Sequence, residues 1–114
     1  MYIGLDLGTS GLKGILIDDS QTILAEATAP LTVQRPHDGW SEQIPSDWIV
    51  ACEAVLGQLS AKGLGQVKGI GISGHMHGAT LIDSADQVLR PCILWNDTRS
   101  HAEAAALDAN PLFR

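Results

Sequence analysis

Two apolar runs, Tyr2 to Leu5 and Leu12 to Ile17, flank Asp6-Leu7-Gly8-Thr9-Ser10-Gly11, a stretch too short for a helix. That spacing constrains the chain more than any other feature, because runs so closely set pair as a strand-turn-strand hairpin. Gly8 and Gly11 permit backbone angles that other residues resist. Thr9 and Ser10 add hydroxyls beside amides that can converge on an anion, the outline of a phosphate cradle. Asp6 suits a phosphate that carries a metal, since a carboxylate and waters can hold Mg²⁺, and Lys13 adds positive charge from the second strand. A tight hairpin whose glycines and hydroxyls serve turn geometry alone would look the same.

Asp18-Asp19-Ser20-Gln21 is a turn by composition, and Thr22 to Thr28 resumes as a third antiparallel strand ended by Pro30. From Leu31 to Gln43 the chain reads as irregular. Trp40, in Gly39-Trp40-Ser41-Glu42-Gln43, either caps the edge of the core or walls a ligand cleft. A helix follows: Ser46 is its predicted cap, Pro45 lies outside, and Asp47 favours the positive end of the dipole. Trp48, Cys52, Val55 and Leu59 form its apolar stripe, which packs on the sheet, and Lys62 and Gly63 close it.

Val67 to Ser73 reads as the next strand, with Val67, Gly69, Gly71 and Ser73 on one face and Lys68, Ile70 and Ile72 on the other. Gly69-Ile70-Gly71-Ile72-Ser73-Gly74 satisfies the dinucleotide pattern G-x-G-x-x-G. It lies within a strand, however, and no helix opens at its third glycine, so that ligand is rejected. His75 and His77, two apart on an extended segment, point the same way, but no third metal ligand stands near. They are either hydrogen-bonded histidines at a strand end or part of a segment leaving a central strand at its carboxyl end, where open α/β sheets place ligands.

Ala79 to Ile82, the turn Asp83 to Asp86, and Gln87 to Leu89 form a predicted second hairpin. Trp95-Asn96-Asp97-Thr98-Arg99 then gathers a ring, an amide, a carboxylate and a guanidinium. A helix cap by Asp97 or Thr98 accounts for part of that set only. Ser100 to Asp108 is a predicted helix, and the apolar residues of Asn110 to Arg114 have nothing evident to cover them, as in a cut chain.

The 114 residues fit one small domain, and the net charge of -6 opposes a nucleic-acid groove or an anionic membrane surface as partner. The chain has no apolar run long enough to span a bilayer, and its start lacks a signal-peptide pattern, so a cytoplasmic address is expected. Cys52 and Cys92 are read as reduced core residues.

Asp6-x-Gly8-Thr9-Ser10-x-x-Lys13 resembles the first phosphate motif of the actin, sugar kinase and heat-shock chaperone ATPase superfamily. With Gly39-Trp40-Ser41-Glu42-Gln43, Met76-His77-Gly78 and Trp95-Asn96-Asp97-x-Arg99 added in this order, the chain resembles the sugar kinases of the FGGY family, most closely those that act on D-xylulose. The resemblance implies an α/β, ribonuclease H-like fold that opens with three antiparallel strands. Residues 1–114 would form the N-terminal portion of the first of two domains, with the cleft between them. It further implies ATP-dependent phosphorylation of D-xylulose to D-xylulose 5-phosphate with Mg²⁺, in pentose catabolism, by a full-length homodimer.

Carried over by position, Asp6 is similar to the acidic residue that meets Mg²⁺ through water, and Gly8, Thr9, Ser10, Gly11 and Lys13 to the groups around the phosphates. Met76 and His77 match the sugar-contacting pair. Trp95, Asn96, Asp97 and Arg99 look like the further wall of the sugar pocket, the acid and amide reading hydroxyls and the arginine ordering the loop. His75, where a glutamine is common, and Ile44, where an acidic or amide residue is usual, depart from the pattern and bear on the sugar preferred.

The family's general base and adenosine pocket fall beyond Arg114. The chain alone is therefore expected to be inactive and to self-associate through an open sheet edge. An actin-like or chaperone-type ATPase would share Asp6 to Lys13 but has no need of Met76-His77 or of Trp95 to Arg99. A family member acting on another ketose or polyol, such as ribulose or glycerol, would differ by a few hydrogen bonds.

Overall fold

In the computed structural model, which describes residues 1–63 and 65–113, the elements run β1 (Tyr2–Leu7), β2 (Gly11–Ile17), β3 (Ile23–Pro30), β4 (Glu42–Gln43), α1 (Pro45–Ser60), β5 (Gly69–Gly74), β6 (Cys92–Ile93) and α2 (His101–Asp108). Arg114, the last residue of the run read as uncovered, lies outside the described residues. The expected hairpin is present, with Asp6 opposite Lys13 and Leu7 opposite Leu12, and β3 pairs with β2 to complete three antiparallel strands. β5 then adds to the other side of β1 in parallel, giving the order β3-β2-β1-β5. Helix α1 lies between β3 and β5 in the chain, as a parallel connection requires.

Strand alternation decides which face is covered. Ile3 and Leu5 of β1, Leu12 and Leu16 of β2, and Ala25, Ala27 and Ala29 of β3 are buried with Ala51, Val55 and Leu59 of α1. The alanines and Gly14 hold the helix close to the sheet. A Cβ on Gly14 would overlap the Cγ1 of Val55 and lie 3.2 Å from the Cδ1 of Leu59. Gly14→Ala should therefore destabilise the domain by about 1–3 kcal/mol, the usual cost of overpacking, as read by urea titration. An unchanged midpoint would mean that α1 can lift off β2 without cost.

Several expectations are corrected. Pro45 is not outside α1 but at its first position, where a missing N–H costs nothing, and the cap is Ile44 with no side-chain bond, so Ser46 is inside the helix. The buried stripe runs through Pro45, Ala51, Val55 and Leu59, with Trp48 and Cys52 only partly covered at its margin. Among the described residues β5 stands at the edge of the sheet rather than at its centre. Ile70 and Ile72 are 54% and 78% exposed because α1 lies over β2 and β3 and does not reach them. The second hairpin is reduced to one bridge between Ile82 and Val88, its turn closed by Asp83 Oδ1 accepting the amides of Ala85 and Gln87. The stretch read as irregular pairs too: Gln34 bridges Glu42, and β4 pairs antiparallel with β6. Cys52 and Cys92 are both free thiols, the second buried.

Candidate active site

The turn between β1 and β2 is held at its carbonyls. The Gly8 amide donates to the Gly11 carbonyl at 2.9 Å, and the Ser10 carbonyl accepts from the Leu31 amide at 3.1 Å. The Thr9 carbonyl accepts from the side-chain amide of Gln43 at 2.8 Å. The amides of Thr9 and Ser10 donate to no other described residue. Gly11 is required for a second reason, since a Cβ there would come within 2.8 Å of the Ala29 carbonyl oxygen. A turn whose carbonyls are tethered and whose amides and hydroxyls are spare is chemically suited to an anion.

On the sheet face that α1 leaves open, register brings three polar groups into line. Asp6 on β1 has Lys13 as its partner on β2 and Ser73 as its partner on β5. The Ser73 hydroxyl donates to Asp6 Oδ1 at 2.5 Å, and the Lys13 ammonium lies 3.2 Å from Glu26 on β3. These residues line a shallow depression of about 550 Å³ with Gly4, Gly71 and apolar neighbours. Small residues at Gly4 and Gly71 keep its floor low. Ser73 was not among the residues singled out in the sequence. Its signal was there, because a Gly-Ile-Gly-Ile-Ser strand puts the serine on the glycine face, but its partner depends on which strand lies beside it.

The Asp6 carboxylate is exposed and its recorded partner is one hydroxyl, which fits a hard divalent cation held through water. No group of three or more metal-ligating side chains occurs among the described residues, so any such ion would take its remaining ligands from water and phosphate oxygens.

The segment after β5 departs from an extended course. His77 takes φ +63°, so His75 and His77 do not continue a strand. The His75 ring packs edge-on to Trp48 with centroids 5.5 Å apart, and neither of its nitrogens has a hydrogen-bond partner among the described residues. Met76 is 70% exposed and His77 is exposed beside it. These two are free to meet a ligand.

Trp95 to Arg99 is not one surface. Trp95 is 62% exposed, and the Oδ1 of Asn96 is buried without a partner among the described residues. Asp97, with only 2% of its side chain exposed, is fully engaged: Arg99 binds both its oxygens, at 2.9 and 2.7 Å, and the Ser41 amide donates to it at 2.7 Å. It therefore caps no helix, and the residue before α2 is Ser100, which makes no side-chain cap bond. Arg99 also donates to Glu42 at 2.8 Å and lies 3.7 Å over the Trp40 ring, while Arg90 reaches Glu42 at 3.0 Å. The Arg99 guanidinium, aided by the Ser41 and Arg99 amides, holds the Asp97 carboxyl well below the usual carboxylate range against the opposing push of burial. The Gly39-to-Gln43 stretch is thus joined to the Trp95-to-Arg99 loop by the Arg99–Glu42 ion pair and by the Ser41 amide on Asp97, a connection that neither motif displays in the sequence.

No helix among the described residues is long and apolar enough to cross a membrane. Residues 1–112 match the N-terminal domain of the FGGY family of carbohydrate kinases. The chain is 52% identical over 109 residues to a xylulose kinase of Klebsiella pneumoniae, a match that covers 95% of this chain and 23% of that protein. Among solved structures, a xyloylose kinase from Brucella ovis superposes with a TM-score of 0.95 at 59% identity, covering 99% of this chain and 24% of that one. A xylulose kinase from Rhodospirillum rubrum does so with a TM-score of 0.91 at 36% identity, covering 96% and 23%. The chain thus spans about a quarter of the length of the relatives it matches.

Proposed function

We propose, from the premise that this chain belongs to the FGGY family of carbohydrate kinases, that it forms the N-terminal portion of the first domain of a protein that transfers a phosphoryl group from ATP to D-xylulose, giving D-xylulose 5-phosphate. Its fold is that of the actin-like and sugar kinase ATPases. The observation that carries the reading is the alignment of Asp6, Lys13 and Ser73 on the open sheet face beside a turn whose amides are spare. Phosphoryl transfer depends on positioning and charge stabilisation, and those are the services such groups can perform.

In this reading the Thr9 and Ser10 amides and hydroxyls, between Gly8 and Gly11, hold phosphate oxygens. Lys13 adds positive charge. Asp6 holds Mg²⁺ through water, and that ion, when bound, neutralises charge on the phosphates. Met76 and His77 contact the sugar, Trp95 supplies an apolar wall, and Asn96 offers an acceptor to a hydroxyl. Asp97 and Arg99 serve this wall from behind, by holding its loop. No residue of this chain is assigned as the base that takes the hydroxyl proton.

The test is ATP consumption by the full-length protein over pentuloses, hexuloses and glycerol. D-xylulose is expected to give the highest kcat/KM, and a clear preference for another substrate would overturn the assignment. His77→Ala should weaken sugar binding by about 1–3 kcal/mol, the cost of unpairing a polar contact, with ATP binding to the free enzyme unchanged. Equal loss of both affinities in calorimetry would make His77 structural.

A further inference from the structure

The structure assigns to Gln43 a role that rests on the reading above and goes beyond it: Gln43 is a positioning residue that sets the phosphate turn in register with the sugar wall. Its side chain is completely buried, so it touches no ligand. Its Nε2 donates to the Thr9 carbonyl at 2.8 Å, and its Oε1 accepts from the Trp48 indole at 2.8 Å. A carbonyl can only accept and an indole N–H can only donate, so the two partners allow one orientation of the amide and exclude its flip.

The Ser10 and Gly11 carbonyls of the turn accept from the backbone amides of Leu31 and Gly8. Among the described residues the Thr9 carbonyl is held by a side chain instead. The same two-residue strand carries the second connection, because successive side chains on a strand leave in opposite directions. Glu42 takes Arg99 and Arg90 on one side, while Gln43 takes Thr9 on the other. β4 therefore spans from the loop of Trp95 to Arg99 to the turn of Gly8 to Gly11. A displacement of the turn on the scale of 1 Å is enough to cost about a hundredfold in rate when reacting groups must be aligned.

The experiment uses the full-length protein. Gln43→Met keeps the volume and removes both hydrogen bonds; kcat/KM for ATP is expected to fall about tenfold to a hundredfold, while the Kd for D-xylulose without nucleotide changes by less than about twofold. A merely structural glutamine would lower the melting temperature and the folded fraction but leave kcat/KM for ATP of the folded enzyme unaltered, which would overturn the proposal. Trp48→Phe keeps the Thr9 bond and releases the other end of the amide, so it should move the same parameter in the same direction by less. If Gln43→Met does not fold, Trp48→Phe decides: an unchanged kcat/KM for ATP overturns the proposal. Turnover by the wild type reads the functional assignment separately, since a wild type that phosphorylates a different sugar refutes D-xylulose yet leaves the comparison of ATP parameters intact with that sugar.

Discussion

Asp6→Ala in the full-length protein is expected to lower kcat by about a hundredfold to a thousandfold, the scale seen when one preorganised charge-stabilising group is lost. The KM for the sugar should change little. Asp6 sits exposed at the end of β1, between Lys13 and Ser73, and its recorded partner is the Ser73 hydroxyl. It is buried by nothing and supports no core contact, so its removal should leave the fold intact. An interaction made mainly in the transition state lowers kcat and kcat/KM together when it is lost, whereas a ground-state contact raises KM alone. Steady-state kinetics at saturating ATP distinguish the two, and a variant with normal kcat would remove Asp6 from the site.

The second large effect falls on stability. Asp97→Ala leaves the Arg99 guanidinium and the Ser41 amide without the carboxylate that holds them. Arg99 keeps Glu42 as a partner, but its guanidinium and the Ser41 amide both lose an acceptor, which costs about 1–3 kcal/mol. The loop of Trp95 to Arg99 should loosen from the Gly39-to-Gln43 stretch, and sugar affinity should fall with it. The sign of the pH dependence follows from the depressed Asp97 carboxyl. Its stabilising effect is fully present above the unfolded value near 4 and is lost as pH falls below that, toward its much lower folded value. Wild type should therefore lose stability progressively below about pH 4 more steeply than Asp97→Asn, which has no carboxyl to titrate at that position. Urea midpoints measured from pH 3 to 7 check this, and parallel acid limbs for the two proteins would contradict it.

Much of the domain was legible because its cues are local. The apolar runs on either side of Gly8 to Gly11 could pair only as a hairpin, and they do so in the register that sets Asp6 opposite Lys13. The helix from Pro45 was visible in its apolar spacing, although the capping role fell to the backbone at Ile44 because proline took the first helical position. The second hairpin forms around the expected Asp83 turn, but as the single Ile82–Val88 bridge, because Ala79 pairs with Ile93 instead of extending it.

The local pattern by itself determined the three opening strands, the helix that covers them and the tight turn at Gly8 to Gly11, since alternation and turn chemistry act between near neighbours. Only the tertiary structure decided what meets across long separations. Parallel pairing of β5 with β1 brings Ser73 to Asp6 over 67 positions, and packing brings Gln43 to Thr9 over 34 and Asp97 to the Ser41 amide over 56. Gln43 and Asp97 are polar groups that burial would leave bare, and each takes the partner that chain topology presents to it, while the exposed Asp6 meets Ser73 because strand register sets them side by side; residue type alone does not say which partner that is.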